Sequence, residues 1–185
     1  MGAPPPLESE RLALTAIGPE DALRITALCN NWNVSRWLAR APYPYLLEDA
    51  EAFCRLVADT APAGRDAVWA IRLKGEKGLI GVISVTGLKS DEPELGYWLG
   101  EPYWGHRLMS EAAGAVVADF FARGRHATLH SGAFTGNEAS LRIQYRLGFQ
   151  DTATGVRWCL ARSADVEHIF TRLTRTAWQA RAATA

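Results

Sequence analysis

The sequence predicts a mixed α/β (α+β) fold with a largely antiparallel central sheet of about seven strands and about four helices. Three observations carry this prediction. Segments rich in Val, Ile and alternating apolar residues come in runs, which is typical of antiparallel hairpins. Segments with helical periodicity separate these runs, in the order strand, two helices, three strands, helix, strand, helix, two strands. The length of 185 residues is that of one domain, so we expect residues 1–185 to form a single domain.

The first strand and the first two helices come early in the chain. Residues 11–17 alternate leucines with small or polar residues and predict a short strand. The turn that follows leads into Glu20 and Asp21, which suit the first turn of a helix because they complement its dipole. A second helix is predicted over residues 47–60, and Pro62 follows to end it.

Three strand signals in succession follow the helices. Residues 68–74 and 79–88 are rich in Val and Ile and are separated by the turn Gly-Glu-Lys-Gly, which predicts a β-hairpin. Residues 94–99 are the third signal. This succession of strands favours antiparallel pairing.

Two further helices are predicted in the second half of the chain. Ser110 suits the N-cap of a helix with an inward apolar face, and Gly124 closes that helix. A strand over residues 127–135 separates it from the next helix. Asn137 is expected to cap this next helix, which ends at Gly148.

The chain is predicted to end in two long antiparallel strands. They cover residues 156–162 and 166–178 and are joined by a turn at residues 163–165. The Pro-rich residues 1–6 and the Ala- and Arg-rich residues 179–185 are expected to be frayed ends.

Composition narrows the classes of function. Hydrophobic residues make up 48% and charged residues 22% of the chain, an ordinary globular composition. The 20 basic residues balance 20 acidic ones, which argues against a nucleic-acid partner and against a membrane partner, since both depend on an excess of positive charge. Cys29, Cys54 and Cys159 are isolated, so we expect thiols that are buried or play no part in function, and no metal site. The first residues lack the features of a signal peptide, and we expect a cytoplasmic protein.

The most informative segment is residues 94–111, which reads as a strand, a short loop and the start of a helix. The backbone N–H groups of the loop and the unsatisfied first amides of the helix converge on one place. Such a place favours a phosphate or a diphosphate. The segment has neither the glycine pattern of a dinucleotide-binding fold nor that of a P-loop.

Several motifs in and after this segment resemble one known family. The runs ELGYWL at residues 94–99, YWG at 103–105 and SEA at 110–112 resemble the acetyl-CoA-binding motif of the GNAT (Gcn-related) N-acetyltransferase superfamily. Residues 137–149 are similar to the family's block N-x-x-S-x-R followed by G-F. Within the superfamily the chain is most similar to the Rim-type ribosomal-protein-alanine acetyltransferase branch. The motifs span nearly the whole chain in the family's order.

The resemblance implies an acetyl-CoA-dependent N-acetyltransferase with the GNAT fold. Its members transfer acetyl to a primary amine by direct attack in a ternary complex, without a metal, and the Rim-type resemblance suggests a protein N-terminal α-amine as acceptor. Two alternatives remain open: a small-molecule acetyltransferase acting on an antibiotic, polyamine or amino acid, and a non-catalytic acyl-CoA-binding domain of the same shape. The implied partners are acetyl-CoA and an amine acceptor, and a homodimer is also left open.

The resemblance also implies roles for particular residues. Glu94 is the candidate general base and Ser140 the candidate proton donor to the leaving thiolate, and backbone amides near Trp98 and Leu99 are the candidate oxyanion donors. Glu94 has an alternative reading as a solvated strand-end carboxylate, and Ser140 as a first-turn serine that bonds the backbone. The residues expected to bind the cofactor are Trp98, Leu99, Trp104, Gly105, His106, Arg107, Leu108, Met109, Ser110, Asn137 and Ser140.

The chain departs from the family pattern at three positions. Arg107 replaces a loop glycine and Met109 a small residue, so Arg107 is expected to point to solvent, to pair with phosphate or to block the site. The family's tyrosine acid is replaced by Gln144, and Tyr145 is one residue away, so no tyrosine role is transferred.

Aromatic residues suggest where the acceptor binds. Trp69 and Trp158 lie on predicted strands and are expected in the core. The region between the first two helices forms the acceptor wall in the family, although plain helix packing would also explain its aromatic residues. The residues expected to line the acceptor pocket are Trp32, Trp37, Tyr43 and Tyr45.

Overall fold

The computed structural model describes residues 4–123 and 126–182. The strands of this part are β1 Leu7–Glu8, β2 Leu12–Thr15, β3 Ala67–Leu73, β4 Leu79–Thr86, β5 Glu94–Leu99, β6 Thr128–Phe134, β7 Gln150–Cys159 and β8 Ala164–Thr174. They form one sheet in the order β1-β2-β3-β4-β5-β6-β8-β7. The helices are α1 Ala22–Cys29, α2 Trp32–Ser35, α3 Leu47–Thr60, α4 Leu108–Ala122, α5 Glu138–Leu147 and α6 Arg175–Ala182.

The two faces of the sheet carry different helices. Successive residues of a strand point to opposite faces. On β3, Trp69 and Ile71 belong to the main core, which also contains the apolar residues of α4. Val68 and Ala70 pack with residues of α1 and α3 in two smaller clusters. We call these two sides the α4 face and the α3 face.

The sheet is divided at its centre. The pair β4–β5 is antiparallel over six residue pairs, whereas β5 and β6 are parallel and meet at the single pair Glu94–His130. Every other strand pair among the described residues is antiparallel, as the sequence predicts. Beyond Glu94 the two central strands diverge and leave a gap that connects the two faces.

The number of elements differs from the sequence prediction. The described residues hold eight strands rather than seven and six α-helices rather than four. The predicted first strand at residues 11–17 is the four-residue β2, preceded by the two-residue β1. The hairpin between β3 and β4 and its turn are confirmed.

The largest correction concerns the end of the chain. Residues 175–178 were predicted as strand and the residues after them as a frayed end, but they form α6, which extends to Ala182. The Thr174 hydroxyl accepts a hydrogen bond from the Ala177 backbone N–H and so begins the helix. The Trp178 ring then stacks on Phe121 of α4, with centroids 6.4 Å apart. Residues 183–185 lie outside the described residues.

Three further predictions are settled by the fold. Trp69 is buried, as expected. Trp158 is 52% exposed and not in the core, because β7 is the edge strand of the sheet. The helix expected to begin after Ser110 begins at Leu108, with Arg107 as its N-cap. The predicted end of this helix at Gly124 lies outside the described residues.

Candidate active site

A cleft of about 1110 Å³ follows the gap between β5 and β6. On the α4 face it is lined by the loop before α4, the first turn of α4 and one side of α5. On the α3 face it is lined by α3, the segment that leads to it and the start of β5. Both faces therefore share one continuous space, and the gap in the sheet is the passage between them.

The loop before α4 is shaped to expose the first amides of this helix. Gly105 and Arg107 have positive φ angles of 82° and 61°, so the chain folds back just before Leu108. The first N–H groups of a helix have no partner within the helix, and they favour an anion. Six of the cofactor residues expected from sequence line the cleft here: Trp104, Gly105, Arg107, Leu108, Met109 and Ser110.

His106 is the exception in this loop. Its side chain is exposed and does not line the cleft, and its carbonyl accepts a hydrogen bond from Arg11. The same arginine holds Glu111 in the first turn of α4 through an ion pair at 2.7 Å. Because this carboxylate is paired with Arg11, it does not compete with an anion for the helix terminus.

Three exposed arginines line the part of the cleft formed by the loop before α4 and by α5. They are Arg107 before α4 and Arg142 and Arg146 on α5, all with exposed side chains. None of the three forms an ion pair with another residue in the described part of the chain. Free guanidinium groups beside free backbone amides fit a ligand that carries several phosphates.

The backbone of β5 also faces the gap. The Leu99 carbonyl accepts a hydrogen bond from the Trp104 indole N–H at 2.7 Å, whereas Trp98 pairs with Val82 in the β4 ladder. Neighbouring residues of a strand direct their peptide groups to opposite sides. The N–H of Leu99 therefore faces the gap, while that of Trp98 is directed to β4. The Trp98 side chain lines the cleft.

Asn137 and Ser140 bring the start of α5 to the cleft. The Asn137 side chain accepts a hydrogen bond from the Ser140 backbone N–H, which confirms its predicted N-cap role. The Ser140 hydroxyl lies 3.1 Å from the Tyr97 hydroxyl and 3.1 Å from the Gln144 amide nitrogen. Burial raises the pKa of Tyr97 despite its hydrogen bond to Ser140. Tyr97 was not predicted as a site residue, because its role depends on α5 packing over β5.

Glu94 lies where the gap begins, on the α3 face with Trp98. Both of its carboxylate oxygens accept hydrogen bonds from Arg157 of β7, at 2.7 and 3.1 Å. Burial raises the pKa of Glu94, but the hydrogen bonds and charge of Arg157, together with the charge of Arg40, outweigh this effect and hold the pKa below its usual value of 4.5. Glu94 is therefore an ionised carboxylate at neutral pH.

His168 of β8 is a cleft residue that sequence reasoning missed. Its side chain is buried, its Nδ1 atom has no hydrogen-bond partner, and its ring packs against Phe134 and Phe170. Burial and the charge of Arg157 lower the pKa of His168 to about 4. The imidazole is thus neutral at neutral pH. A lone histidine in a strand gives no signal in the sequence.

The predicted acceptor residues divide into two pairs. Trp37 and Tyr45 line the cleft, and the guanidinium groups of Arg36 and Arg162 lie over the Trp37 ring. Trp32 and Tyr43 pack edge to face with each other, with centroids 5.3 Å apart, and do not line the cleft. Only the first pair is placed to contact a ligand.

The cysteines and the apolar helices carry no sign of a further site. All three cysteines are free and buried, and burial raises the pKa of the Cys29 thiol to about 12. Among residues 4–123 and 126–182, no group of three or more His, Cys, Asp or Glu side chains could hold a metal ion. In the same ranges, no helix is both long and apolar enough to cross a membrane.

Comparison with known proteins agrees with this geometry. Residues 11–150 match the family model of the acetyltransferase (GNAT) domain. The chain belongs to the GNAT acetyltransferase family. It is therefore an acetyl-CoA-dependent acyltransferase, and the free amides and arginines around the start of α4 suit the phosphates of that co-substrate.

Individual relatives support the family and the fold. An uncharacterised N-acetyltransferase of Bacillus subtilis, YoaA, is 31% identical over 148 residues, which is 79% of this chain and 83% of YoaA. The structure of the ribosomal-protein-S5-alanine acetyltransferase of Vibrio fischeri superposes on this chain with a TM-score of 0.79 at 18% sequence identity. The match covers 95% of this chain and 99% of the Vibrio fischeri chain. RimL, a ribosomal L7/L12 α-N-protein acetyltransferase in complex with coenzyme A, matches with a TM-score of 0.80 at 16% sequence identity. The match covers 92% of this chain and 98% of the RimL chain.

Proposed function

We propose that this GNAT protein transfers an acetyl group from acetyl-CoA to a primary amine by direct attack within a ternary complex. The observation that carries the proposal is the gap between β5 and β6, which joins the anion-binding end of α4 to the compartment around Glu94. A thioester bound from the α4 face reaches an amine on the α3 face only through such a passage. Two substrates can therefore meet without a covalent intermediate on the protein.

On the α4 face, we assign the diphosphate of acetyl-CoA to the backbone amides from Gly105 to Ser110. Arg107 and Arg142 supply positive charge beside them. Trp104, Leu108 and Met109 line the same stretch, and Asn137 and Ser140 lie at the start of α5. His106 does not line the cleft and has no assigned contact.

In the transfer step, the lone pair of the amine forms the C–N bond and the C–S bond breaks with its electron pair moving to sulfur. The Leu99 N–H is placed to stabilise the carbonyl oxygen, because it faces the gap. Glu94 attracts the incoming ammonium group, and the proton of that group leaves to water, because transfer to a carboxylate of lowered pKa is uphill whether it is direct or relayed. The proton lost by nitrogen balances the one gained by sulfur.

The titratable groups of the cleft favour an α-amine as acceptor. The pKa values of both Glu94 and His168 are lowered, so neither group is matched to deprotonate an amine near neutral pH. A protein α-amine has a pKa of about 7.7–8.0 and is partly neutral already, whereas a lysine near 10.4 needs a strong base. We therefore propose a protein N-terminus as acceptor, in keeping with the names of the RimL and S5-alanine neighbours.

An acceptor panel tests the function and its substrate class together. Free thiol release would be measured with acetyl-CoA and peptides that carry a free N-terminus, N-terminally blocked peptides that carry lysine, polyamines, aminoglycosides and amino acids. We expect turnover with free N-termini and little with blocked lysine peptides. Preference for a polyamine, aminoglycoside or amino acid would show that the protein is instead a small-molecule acetyltransferase. Binding of acetyl-CoA without turnover of any amine would overturn the proposal in favour of a non-catalytic domain.

A further inference from the structure

A buried polar network holds the Ser140 hydroxyl from two sides. Gln144, whose side chain is fully buried, is fixed by its partners. Its amide nitrogen donates to the Gly132 carbonyl, which can only accept, and its amide oxygen accepts from the Thr171 hydroxyl. The second N–H of the same amide therefore points to the Ser140 hydroxyl oxygen at 3.1 Å. Reversing the amide would place its oxygen against the Gly132 carbonyl oxygen and lose that hydrogen bond.

Tyr97 approaches Ser140 from the sheet. Its hydroxyl lies 3.1 Å from the Ser140 hydroxyl and 3.1 Å from the Ser140 carbonyl oxygen. When Tyr97 donates to the Ser140 carbonyl, the Ser140 hydroxyl can donate a hydrogen bond to the Tyr97 oxygen. When Tyr97 donates to the serine hydroxyl, both lone pairs of that oxygen are occupied, one by Gln144 and one by Tyr97. The serine proton then has no protein partner and is directed into the cleft.

We propose that Tyr97 and Gln144 are positioning residues that make the Ser140 hydroxyl a hydrogen-bond donor to the departing sulfur of acetyl-CoA. The inference rests on the proposed function, in which the thioester lies in the gap of the cleft that Ser140 lines. As the C–S bond breaks, its electron pair moves to sulfur and the Ser140 O–H bonds to it, while the Tyr97 proton moves from the Ser140 carbonyl to its hydroxyl. No proton leaves the network. The thiolate takes up its own proton from the water that received the proton of the amine.

The network also explains how the site could work although no tyrosine of α5 faces the gap. Gln144 stands where the tyrosine acid is expected from the family resemblance, and it faces inward to Thr171 rather than into the gap. The phenol is supplied instead by β5, from the other side of Ser140. Tyr145, the neighbouring tyrosine of α5, is exposed and donates to Asp151.

A double-mutant cycle tests the inference in the full-length enzyme. We expect Tyr97→Phe and Gln144→Met each to lower kcat about tenfold with little change in the KM for acetyl-CoA. In a Ser140→Ala background we expect both changes to lose most of their effect, because they act through that hydroxyl. Ser140→Thr keeps the hydroxyl and should retain most activity, and Tyr145→Phe should match the wild type. Additive losses, or an unaffected Ser140→Ala variant, would overturn the inference.

A second measurement needs no turnover. The pKa of the thiol of bound coenzyme A can be followed by the ultraviolet absorbance of its thiolate. A hydrogen bond from Ser140 should keep this pKa about one unit lower in the wild type than in Ser140→Ala, with Tyr97→Phe and Gln144→Met raised in the same direction. Equal values in all four proteins would overturn the inference. Because coenzyme A alone is used, this result stays separate from a failure to find an acceptor.

Discussion

The two faces of the cleft differ in whether their arginine side chains are paired. On the α4 face, the guanidinium groups of Arg107, Arg142 and Arg146 are exposed and form no ion pair with a described residue. On the α3 face, Arg157 is already paired with Glu94 through two hydrogen bonds, and His168 is neutral. The first face is prepared to neutralise phosphates. The lining of the second carries charges of both signs, Arg40 and Arg157 against Glu94 and Asp49, so we infer that shape and the pKa of the amine select the acceptor more than net charge does.

The largest effect is expected from removing the carboxylate of the α3 face. Glu94→Gln should lower kcat/KM for the acceptor by about 10²–10³-fold, because the ammonium group loses the carboxylate that attracts it and Arg157 loses its partner. The KM for acetyl-CoA should stay near the wild-type value, since Glu94 lies at the far end of β5 from the α4 loop. Glu92→Gln, at an exposed site two residues earlier, is the control. A large rise in the KM for acetyl-CoA would show that the two faces are not separate.

The next effect concerns stability on the acid side. An unfolded histidine takes up a proton near pH 6.5, whereas His168 in the fold does so only near pH 4. Between these values the unfolded state binds the extra proton, so the free energy of unfolding falls as the pH falls, by about 3 kcal/mol in total. His168→Phe should remove this part of the pH dependence in urea titrations.

His106 provides the control for this measurement, because its side chain is exposed. His106→Gln should leave the slope of stability against pH between 6.5 and 4 as in the wild type. Equal slopes for the wild type and His168→Phe would contradict the assignment of a neutral, buried imidazole to the α3 face.

A smaller effect is expected on the α4 face. Arg142→Gln should raise the KM for acetyl-CoA about tenfold, as expected for one charge-assisted hydrogen bond to phosphate. The acceptor KM should be unchanged, and the defect should shrink as salt is added, because salt screens the same charge in the wild type. Arg55→Gln, on the exposed side of α3, is the matched control. A salt-independent defect would argue for a packing role.

The smallest effect distinguishes the contribution of the Arg107 backbone conformation from that of its side chain. A non-glycine residue at φ 61° is strained by about 1 kcal/mol, so Arg107→Gly should raise the free energy of unfolding by about that amount relative to Arg107→Gln. Both variants should bind coenzyme A a few-fold more weakly in calorimetry if the guanidinium contacts phosphate. Tighter binding by both would mean that the side chain obstructs the α4 face.

Much of the α4 face could be predicted from the sequence. The strand, loop and helix of residues 94–111 are contiguous, so their order in the sequence indicates that their backbone amides lie close together. Asn137 was correctly predicted as the N-cap of α5. Errors arose where local rules compete with packing. Residues 175–178 read as strand, yet Thr174 caps a helix whose Trp178 has Phe121 to pack against. Trp158 read as core, but its strand lies at the edge of the sheet.

The α3 face was visible only in part. Glu94 was predicted as a cleft residue and is one, but its partner Arg157 lies 63 residues away and nothing local connects them. The same holds for His168, and for Gln144, which reads as an ordinary helix residue until Thr171 and Ser140 lie beside it. Of the four aromatic residues predicted as the acceptor wall, the chain path brings only Trp37 and Tyr45 to the cleft.

The family resemblance, most of the strands and helices and the loop before α4 could be predicted from the sequence, because each signal is carried by residues near one another in the chain. The tertiary structure decided which side chains share a proton or a charge. The separation of β5 from β6, the pairing of Glu94 with Arg157 and the position of Tyr97 against Ser140 all join distant segments. Hydrogen bonds and pKa values depend on distances of a few ångströms, and only packing sets these between strands and helices far apart in sequence.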